Sequence, residues 1–403
     1  MYSLFIRIFG IGISIAALFN DKAKRWVHGR QNQVLQLPKD VGEVLWFHCA
    51  SLGEFDQGLP LMNALKQQFP ERFLVVSFFS PSGMEHYHKR HHLVDKAVYL
   101  PLDTRKNAQE FIEAIRPKWA FFVKYEFWFN HLEAAHRFGT KLYSVSTLMR
   151  PNQMYFQFYG RSLRKKFHLF EAFFVQDETT LNLLQSIGLE RVYVTGDLRI
   201  DNVIANRERY LQQAPDVLFS QFLKSNKAIV FGSSWEEEEA ILLEVIKHFP
   251  NEKFIVAPHD VSPKNVARLK MKFGKQLSTY TAPENLEEKQ ILLLDTIGQL
   301  ALAYRFGKLA FIGGGFSGKL HNILEPAVFG IPVFFGPNHA KFPEAMQFIE
   351  EGVAFEISNK NQFIETTALV LKNQEIPRKL QLLFQEGGKR TNTILHLLSK
   401  QPA

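Results

Sequence analysis

Four polar side chains of different chemistry lie close in sequence to a run of glycines. His321 and Asn322 follow the run, and Glu325 and Lys341 come after them. Glycines let backbone N–H groups approach a ligand closely, and the start of a following helix favours an anion. The acceptor-only carboxylate of Glu325 suits the paired hydroxyls of a ribose. The cluster therefore predicts a nucleotide-sugar site, with a ligand-free tight turn as the alternative, and its glycines are Gly313, Gly314 and Gly315.

The segments around this turn have the pattern of a βαβ unit. An apolar run at residues 309–312 precedes the glycines, and a second at 332–335 follows. Between them the pattern predicts a helix over residues 321–329, with Gly330 at its C-terminal cap. In that helix His321 and Glu325 are one turn apart, so both side chains can point to one face.

Two glutamates in the N-terminal half follow predicted strands in the same way. Glu54 comes after the apolar run at 44–50 and begins a helix that continues to Phe69, and Glu126 comes after the run at 119–123. The carboxyl ends of the strands are where an open α/β sheet places its functional groups, so both glutamates are expected to face one crevice. The alternative for Glu54 is a carboxylate that only stabilises the helix start.

Several motifs, taken in order along the chain, resemble those of 3-deoxy-D-manno-octulosonic acid (Kdo) transferases. These are GT-B glycosyltransferases that add Kdo from CMP-Kdo to the lipid A precursor. The resemblance implies an α/β fold of two Rossmann-like domains, whose parallel sheets face a central cleft, and an N-terminal membrane-associated helix. The motifs are WFHCASLGE (46–54), SPSG (80–83), KYEFWFN (124–130), GDLRID (196–201), HNILEPA (321–327) and GIPVFFGP (330–337).

The resemblance also implies domain boundaries. Residues 1–30 would form the membrane anchor or interfacial helix, and residues 40–205 the acceptor-binding domain. Residues 220–380 would bind the CMP-sugar. Residues 381–403 would form a C-terminal helix that packs back on the first domain.

The resemblance assigns roles to individual residues, without a metal ion or cofactor. Glu54 would be the general base that deprotonates the acceptor hydroxyl, an assistance typically worth about 10²–10⁴ in rate. Glu126 would support acceptor binding or order the site. The implied acceptor-binding residues are Gly53, Ser82 and Arg199, and the implied donor-binding residues are Ser233, Ser234, His259, Gly313, Gly314, Gly315, His321, Asn322, Glu325 and Lys341.

The sequence departs from the family pattern at several positions, and three of these departures change a charged group. Lys124 replaces the first glutamate of the motif that contains Glu126. The segment Ala257-Pro258-His259 resembles the family's Pro-Arg-His turn but lacks the arginine. Any phosphate clamp that this arginine supplies in the family must therefore come from another residue here. Gln299 replaces a glutamate and cannot carry charge.

Composition limits the possible partners. The 403 residues are 46% hydrophobic and carry a net charge of +8, which fits two globular domains that prefer anionic partners. Nucleic acid is disfavoured because no zinc-finger spacing, arginine-rich tail or RNP-like motif occurs. A single cysteine, Cys49, excludes a disulfide within the chain and favours a reducing compartment.

The N-terminal segment is apolar from residue 2 to residue 19, near the lower limit of about 17 residues for crossing a bilayer. Lys22, Lys24 and Arg25 follow it, which favours cytoplasmic retention. We expect an uncleaved anchor or an interfacial helix on the cytoplasmic face of the cell inner membrane; a signal peptide or an ordinary buried helix are the alternatives. Residues 156–170 combine basic and aromatic side chains, which can meet anionic lipid or the phosphates of the acceptor.

Two other functions remain open from the sequence. One is a GT-B enzyme that uses a UDP-sugar, or a sugar-nucleotide epimerase of the same architecture; an epimerase would not need the apolar anchor or the basic segment. A membrane-tethered binder of the lipid A precursor with an inactive donor site would not need Glu54, so substitution of Glu54 separates that alternative from an enzyme.

Overall fold

The computed structural model describes residues 2–31, 33–385 and 387–400, which form two units. The first unit contains the residues up to Asn202 together with those from Gly388 onward, and the second runs from Val203 to Gly387. Each unit has a parallel seven-stranded sheet, and helices connect most of the successive strands. These sheets confirm the predicted α/β class with two Rossmann-like domains.

The sheet of the first unit has the strand order β3-β2-β1-β4-β5-β6-β7, and every neighbouring pair is parallel. Its central strands are apolar without alternation because helices cover both faces of a parallel sheet. The strands are β1 (Val44–Cys49), β2 (Phe73–Phe78), β3 (Lys96–Tyr99), β4 (Pro117–Val123), β5 (Lys141–Thr147), β6 (Phe170–Val175) and β7 (Val192–Val194).

The sheet of the second unit has the order β10-β11-β9-β8-β12-β13-β14 and is also parallel throughout. In both sheets the first strand of the unit lies in the interior, between a strand that follows it directly and one that comes later. The strands are β8 (Ala228–Ser234), β9 (Lys253–Pro258), β10 (Leu277–Thr279), β11 (Ile291–Leu293), β12 (Gly307–Ile312), β13 (Val333–Phe335) and β14 (Ala354–Glu356).

The α-helices range from single turns to the long α3, which follows β1. They are α1 (Tyr2–Ala16), α2 (Asp21–Gln31), α3 (Leu52–Gln68), α4 (Pro81–His86), α5 (Arg105–Ile115), α6 (Phe129–Phe138), α7 (Arg161–Arg164), α8 (Glu178–Gln185), α9 (Leu198–Gln212), α10 (Val217–Leu223), α11 (Glu236–His248), α12 (Pro263–Phe273), α13 (Leu300–Ala303), α14 (Leu324–Ala327), α15 (Pro343–Glu350), α16 (Lys360–Val370), α17 (Glu375–Leu383) and α18 (Lys389–Ser399).

The helix predicted over residues 321–329 is wrong in its extent, because only α14 forms there. The Asn322 side chain accepts a hydrogen bond from the Leu324 amide (3.0 Å), so the chain enters the helix three residues late. Gly330 does adopt the left-handed conformation of a cap, with φ +77°.

Apolar clusters cover both faces of the first sheet. One contains Trp46 and Phe122, and the other contains Phe47 and Phe121, because successive side chains of a strand point to opposite faces. Helix α18 adds Ile394 and Leu398 to the second cluster. The backbone amide and hydroxyl of Thr391 donate to the buried carboxylate of Asp201 (2.8 and 2.7 Å).

The N-terminal helices α1 and α2 pack on the first unit. Ile6 is buried, and the Tyr2 hydroxyl donates to the carboxylate of Asp103, itself fully buried. Among the described residues, no helix is by itself long and apolar enough to cross a bilayer, although α1 and α2 meet that test together across a 117° bend. One face of α1 stays in solvent with its large apolar side chains 57–64% exposed: Leu4, Phe5, Ile8, Ile11 and Ile15.

Candidate active site

The candidate active site of the first unit lies at the carboxyl ends of β1 and β4. These strands are neighbours, and the chain leaves β1 towards β2 on its other side, so their junction is a topological switch point, where open α/β sheets bind ligands. Glu54 lies in the first turn of α3, immediately after β1, and Glu126 lies three residues after β4 ends at Val123. The structure therefore brings the two predicted glutamates to one place.

The two carboxylates interact electrostatically. Burial raises the pKa of Glu126 to about 7, the negative charge of Glu54 adds to this effect, and the ammonium group of Lys124 opposes it. Glu126 is therefore the carboxyl group that keeps a proton up to neutral pH. The hydroxyl of Ser51 donates a hydrogen bond to the carboxylate of Glu54 and fixes its orientation.

Sequence reasoning missed Ser51 as part of the site. The signal was present, since Ser51 precedes Glu54 by three residues, the spacing of a helix N-cap and its N3 carboxylate. In the structure the serine hydroxyl bonds to the carboxylate rather than to a backbone amide. Ser51 is thus placed to orient Glu54.

Lys124, the departure from the family pattern, has an unusual backbone conformation. Its φ is +70°, in the left-handed region that costs a non-glycine residue about 1–3 kcal/mol. Its amide donates to the carbonyl of Val145 (2.8 Å), which holds the turn in place. This strained turn leads directly to Glu126, and strain of this kind is concentrated at functional sites.

The three predicted acceptor-binding residues have different surroundings. Gly53 is exposed in the first turn of α3. Ser82 lies in the first turn of α4, where its amide donates to the Ser80 hydroxyl that caps the helix. The guanidinium of Arg199 pairs with the carboxylate of Asp197 (2.6 Å). Binding of the acceptor by these residues stays a prediction.

The corresponding switch point of the second unit lies between β8 and β12, and the glycine run follows β12. A Cβ on any of Gly313, Gly314 or Gly315 would approach backbone atoms more closely than the 3.0 Å that real contacts respect. Gly314 also has φ +86°. The three glycines are therefore required for the close packing of backbone on backbone.

Two of the glycine amides are already used inside the protein. The Gly313 amide donates to the carbonyl of Gly232 (2.9 Å), and the Gly314 amide donates to the carboxylate of Glu238 (3.0 Å). The expectation that these amides bind a phosphate is not supported, because neither N–H is available in this arrangement. Residues 313–315 shape the turn through packing.

Glu238 is a second residue that sequence reasoning missed. It is 1% exposed and accepts hydrogen bonds from the amides of Trp235 (2.9 Å) and Gly314. Burial raises the pKa of this carboxyl, and the amide hydrogen bonds oppose the rise. The sequence shows it only as one of four glutamates at the start of α11, which gives no sign of its contact with a turn far along the chain.

The imidazoles of the second unit form an aromatic stack. The His259 ring stacks on the indole of Trp235, with 4.3 Å between centroids, and the His321 ring lies 4.8 Å from His259. Burial lowers the pKa of His321 to about 4, with a smaller contribution from His259, and burial lowers the pKa of His259 as well. Both rings are thus neutral at neutral pH, when an imidazole offers one donor and one acceptor. Trp235 was not identified from the sequence.

The other predicted donor-binding residues differ in exposure. The side-chain amide of Asn322 donates a hydrogen bond to the carboxylate of Glu325 (3.2 Å). The predicted helical spacing of His321 and Glu325 does not apply, because His321 lies before the start of α14. Ser234 is 2% exposed, and its hydroxyl is buried, whereas Lys341 is exposed. Ser233, which follows Gly232 in β8, has φ +53°.

No metal site is evident in the part of the chain that the structure describes. Within it, no group of three or more histidine, cysteine, aspartate or glutamate side chains is arranged to hold an ion.

Comparison with known sequences finds similarity to Kdo transferases. Residues 23–202 match the family model described as 3-deoxy-D-manno-octulosonic-acid transferase (kdotransferase). A 3-deoxy-D-manno-octulosonic acid transferase of Chlamydia trachomatis is 27% identical over 365 residues, which cover 87% of this chain and 82% of that protein. The corresponding transferase of Aquifex aeolicus is 29% identical over 348 residues, covering 84% of this chain and 89% of that protein.

Comparison with solved structures supports the fold. A putative UDP-N-acetylglucosamine 2-epimerase from Listeria monocytogenes matches with a TM-score of 0.62 at 16% identity, covering 89% of this chain and 98% of that one. The UDP-GlcNAc 2-epimerase of Methanocaldococcus jannaschii gives a TM-score of 0.62 at 14% identity, covering 89% and 100%. At such identities the likeness concerns the fold alone.

The sequence similarity reaches well beyond the first unit, since it covers 84–87% of the chain in the two relatives. The motifs that contain Glu54 and Glu126 fall within the residues matched by the family model. The protein is therefore similar to Kdo transferases over most of its length, and this similarity supports a Kdo-transferring glycosyltransferase.

Proposed function

We propose that this protein transfers Kdo from CMP-Kdo to the lipid A precursor (lipid IVA) and inverts configuration at the anomeric carbon, with Glu54 as the general base. The observation that carries the proposal is the pair of carboxyl groups at the ends of β1 and β4. One member, Glu126, stays protonated up to about neutral pH, and the other, Glu54, is oriented by Ser51.

The reaction needs one proton acceptor and one leaving group. An acceptor hydroxyl attacks the anomeric carbon of Kdo, the new C–O bond forms, and the bond from that carbon to the phosphate oxygen of CMP breaks. The proton of the attacking hydroxyl passes to the carboxylate of Glu54. A protonated Glu126 donates a hydrogen bond to an acceptor oxygen and lies too close to Glu54 for both to be charged without cost.

The second unit would bind CMP-Kdo through side chains around the glycine turn. The Nε2 atom of His321 is buried, and no described residue hydrogen-bonds to it, so it can bond to the donor. Glu325, held by Asn322, can accept from the ribose hydroxyls. We assign the phosphate to the exposed cation of Lys341 and to the hydroxyl of Ser233, because the amides of Gly313 and Gly314 are occupied.

The acceptor is a membrane lipid, and we place the protein at the cytoplasmic face of the inner membrane. The exposed apolar face of α1 suits the bilayer interface, and Lys22, Lys24 and Arg25 at the start of α2 suit anionic headgroups. Phe158 and Tyr159, which are 89% and 62% exposed, lie next to Arg161 and give the first unit a second patch of the same character. These groups support binding to an anionic membrane surface.

Mass spectrometry of lipid IVA incubated with the full-length protein tests the proposal. One arm contains fresh CMP-Kdo, and parallel arms contain UDP-sugars. We expect a Kdo-bearing product with CMP-Kdo, formed about 10²–10⁴ times more slowly by Glu54→Gln. The exposed Glu71, substituted in the same way, is the matched control and should leave the rate unchanged.

Each alternative has its own result in this assay. Product from a UDP-sugar, or epimerisation of that sugar without acceptor, would show that the donor assignment is wrong. A Glu54→Gln variant as active as the wild type would show that another group is the base. Binding of lipid IVA without any product would favour the non-catalytic binder.

A further inference from the structure

An apolar groove of about 850 Å³ runs along the N-terminal helices of the first unit. This size lies within the range of about 300–1,000 Å³ that is usual for ligand sites. Its walls come from α1, from α2 and from the segment after β3. The apolar side chains that line it include Ile11, Ile15, Leu18, Trp26, Val27 and Leu102.

The walls of the groove are fixed by close contacts to the first unit. A Cβ on Gly10 would collide with the Leu102 side chain, and one on Gly29 would collide with the Tyr99 ring, so both helices lie directly on the unit. The Arg30 guanidinium donates to the carbonyls of Phe79 (2.7 Å) and Leu100 (2.9 Å). The groove is therefore part of the folded unit.

The charged groups of the groove are all cationic. Arg7 and Arg30 line it, and the lining contains no carboxylate. Arg7 is exposed and makes no ion pair with any described residue. The indole Nε1 of Trp26 is buried and likewise lacks a partner in the described part of the chain. An apolar channel with a free cation and an unused N–H donor is complementary to an amphiphile with an anionic, oxygen-rich head.

The groove also continues a surface that already faces lipid in the proposed function. Ile11 and Ile15 belong both to its wall and to the exposed apolar face of α1. The acyl chain of a lipid could thus pass from the bilayer into the groove without crossing a polar surface.

We propose that this groove holds one acyl chain of an anionic phospholipid of the bilayer, with the lipid phosphate at Arg7 and an ester or phosphate oxygen at the Trp26 indole. The proposal rests on the interfacial placement of α1 given above, but not on the identity of the sugar donor. A lipid held in this way would fix the depth and rotation of the first unit at the membrane.

Brominated lipids test the proposal because bromine on an acyl chain quenches an indole only at close range. Two vesicle preparations contain equal parts of phosphatidylglycerol and phosphatidylcholine, with bromine on the chains of one lipid or of the other. Surface charge and bromine content are then the same. The contribution of Trp26 is the quenching of the wild type minus that of Trp26→Phe.

We expect stronger quenching of Trp26 when the anionic lipid carries the bromine, by up to roughly fivefold, the preference that one arginine gives at an anionic headgroup. Arg7→Gln should abolish this dependence on the label. Ser14→Leu fills the groove and should reduce the quenching. Gly12→Leu is the matched control, because a Cβ at Gly12 meets nothing within 4 Å, and should not reduce it.

Three results would overturn the proposal. Equal quenching in both vesicles, unchanged by Ser14→Leu, would mean that the helices are merely immersed in the interface. Displacement of the brominated phospholipid by lipid IVA would make the acceptor the occupant. Failure to bind vesicles would remove the interfacial placement itself, whereas absence of Kdo transfer with the expected quenching pattern would refute only the proposed reaction.

Discussion

The two switch points occupy equivalent places in two similar sheets, yet burial acts on groups of opposite charge type in them. At the first, it raises the pKa of Glu126 to about 7, and at the second it lowers the pKa of His321 to about 4. The carboxyl group of Glu126 keeps its proton and the imidazole of His321 loses its own, so the neutral form of each group is favoured near pH 7. One cause, the loss of solvent, thus prepares one site around a carboxyl pair and the other around uncharged imidazoles.

The glycines at the two points differ as well. Gly53 at the first is exposed, and the nearest atom to a Cβ there would be 3.8 Å away. Gly313 at the second is packed against the carbonyl of Ser233. The first switch point presents side chains from an open turn, whereas the second depends on backbone packing that tolerates no side chain.

The sharpest test of this difference is a matched pair of glycine-to-alanine variants. We expect Gly313→Ala to destabilise the second unit by about 1–3 kcal/mol, the usual cost of overpacking. Gly53→Ala should be neutral or slightly stabilising, because alanine favours a helix start with room for its methyl group. Hydrogen exchange in urea, followed separately for peptides of each unit, measures both. Equal effects of the two substitutions would remove the distinction.

A smaller effect is expected from pH at the first switch point. Because the pKa of Glu126 in the folded protein is raised to about 7, the folded state binds more protons than the unfolded state between about pH 4.5 and 7. Stability should therefore fall as the pH rises through that window, and Glu126→Gln should remove this part of the fall. Urea unfolding midpoints at pH 5 and pH 8, compared between wild type and variant, give the contribution. If the wild type lost less stability than Glu126→Gln between pH 5 and pH 8, Glu126 would lie in a solvated environment.

The opposite slope, of similar size, is expected at the second switch point, because the pKa of His321 is lowered about as far as that of Glu126 is raised. Its pKa in the folded protein is about 4, so the unfolded state binds more protons between about pH 4 and 6.5. Stability should be lost as the pH falls through that window. Hydrogen exchange of the second unit at pH 4.5 and pH 7 measures the loss, and His321→Gln should reduce it. If the variant keeps the full loss, the titrating group is another residue.

The sequence indicated the parts of the fold that depend on local pattern. The strands were predictable because runs such as Val44–Cys49 are almost entirely apolar. The positions of Glu54 and Glu126 followed from the rule that parallel strands present their carboxyl ends together. The pairing of Arg199 with Asp197, two residues earlier, was also local and could have been anticipated.

The remaining features depend on contacts between distant segments. Glu238 holds the turn at Gly314, 76 residues further on, and no periodicity indicates such a partner. The stack of Trp235, His259 and His321 brings together three loops whose proximity arises only from the strand order. The helix around Pro326 was overpredicted because a local hydrogen bond from the Leu324 amide to the Asn322 side chain holds a turn where the apolar pattern predicted the start of the helix.

The position of α18 has a consequence for synthesis on the ribosome. The second unit is one continuous stretch, from Val203 to Gly387, whereas the first needs residues that are translated after it. Until α18 emerges, the first unit lacks Ile394 in its core, and the buried carboxylate of Asp201 lacks the donors of Thr391. The first unit, whose translation begins earlier, is thus the last to be completed. Part of its core stays uncovered while the second unit is translated and folds.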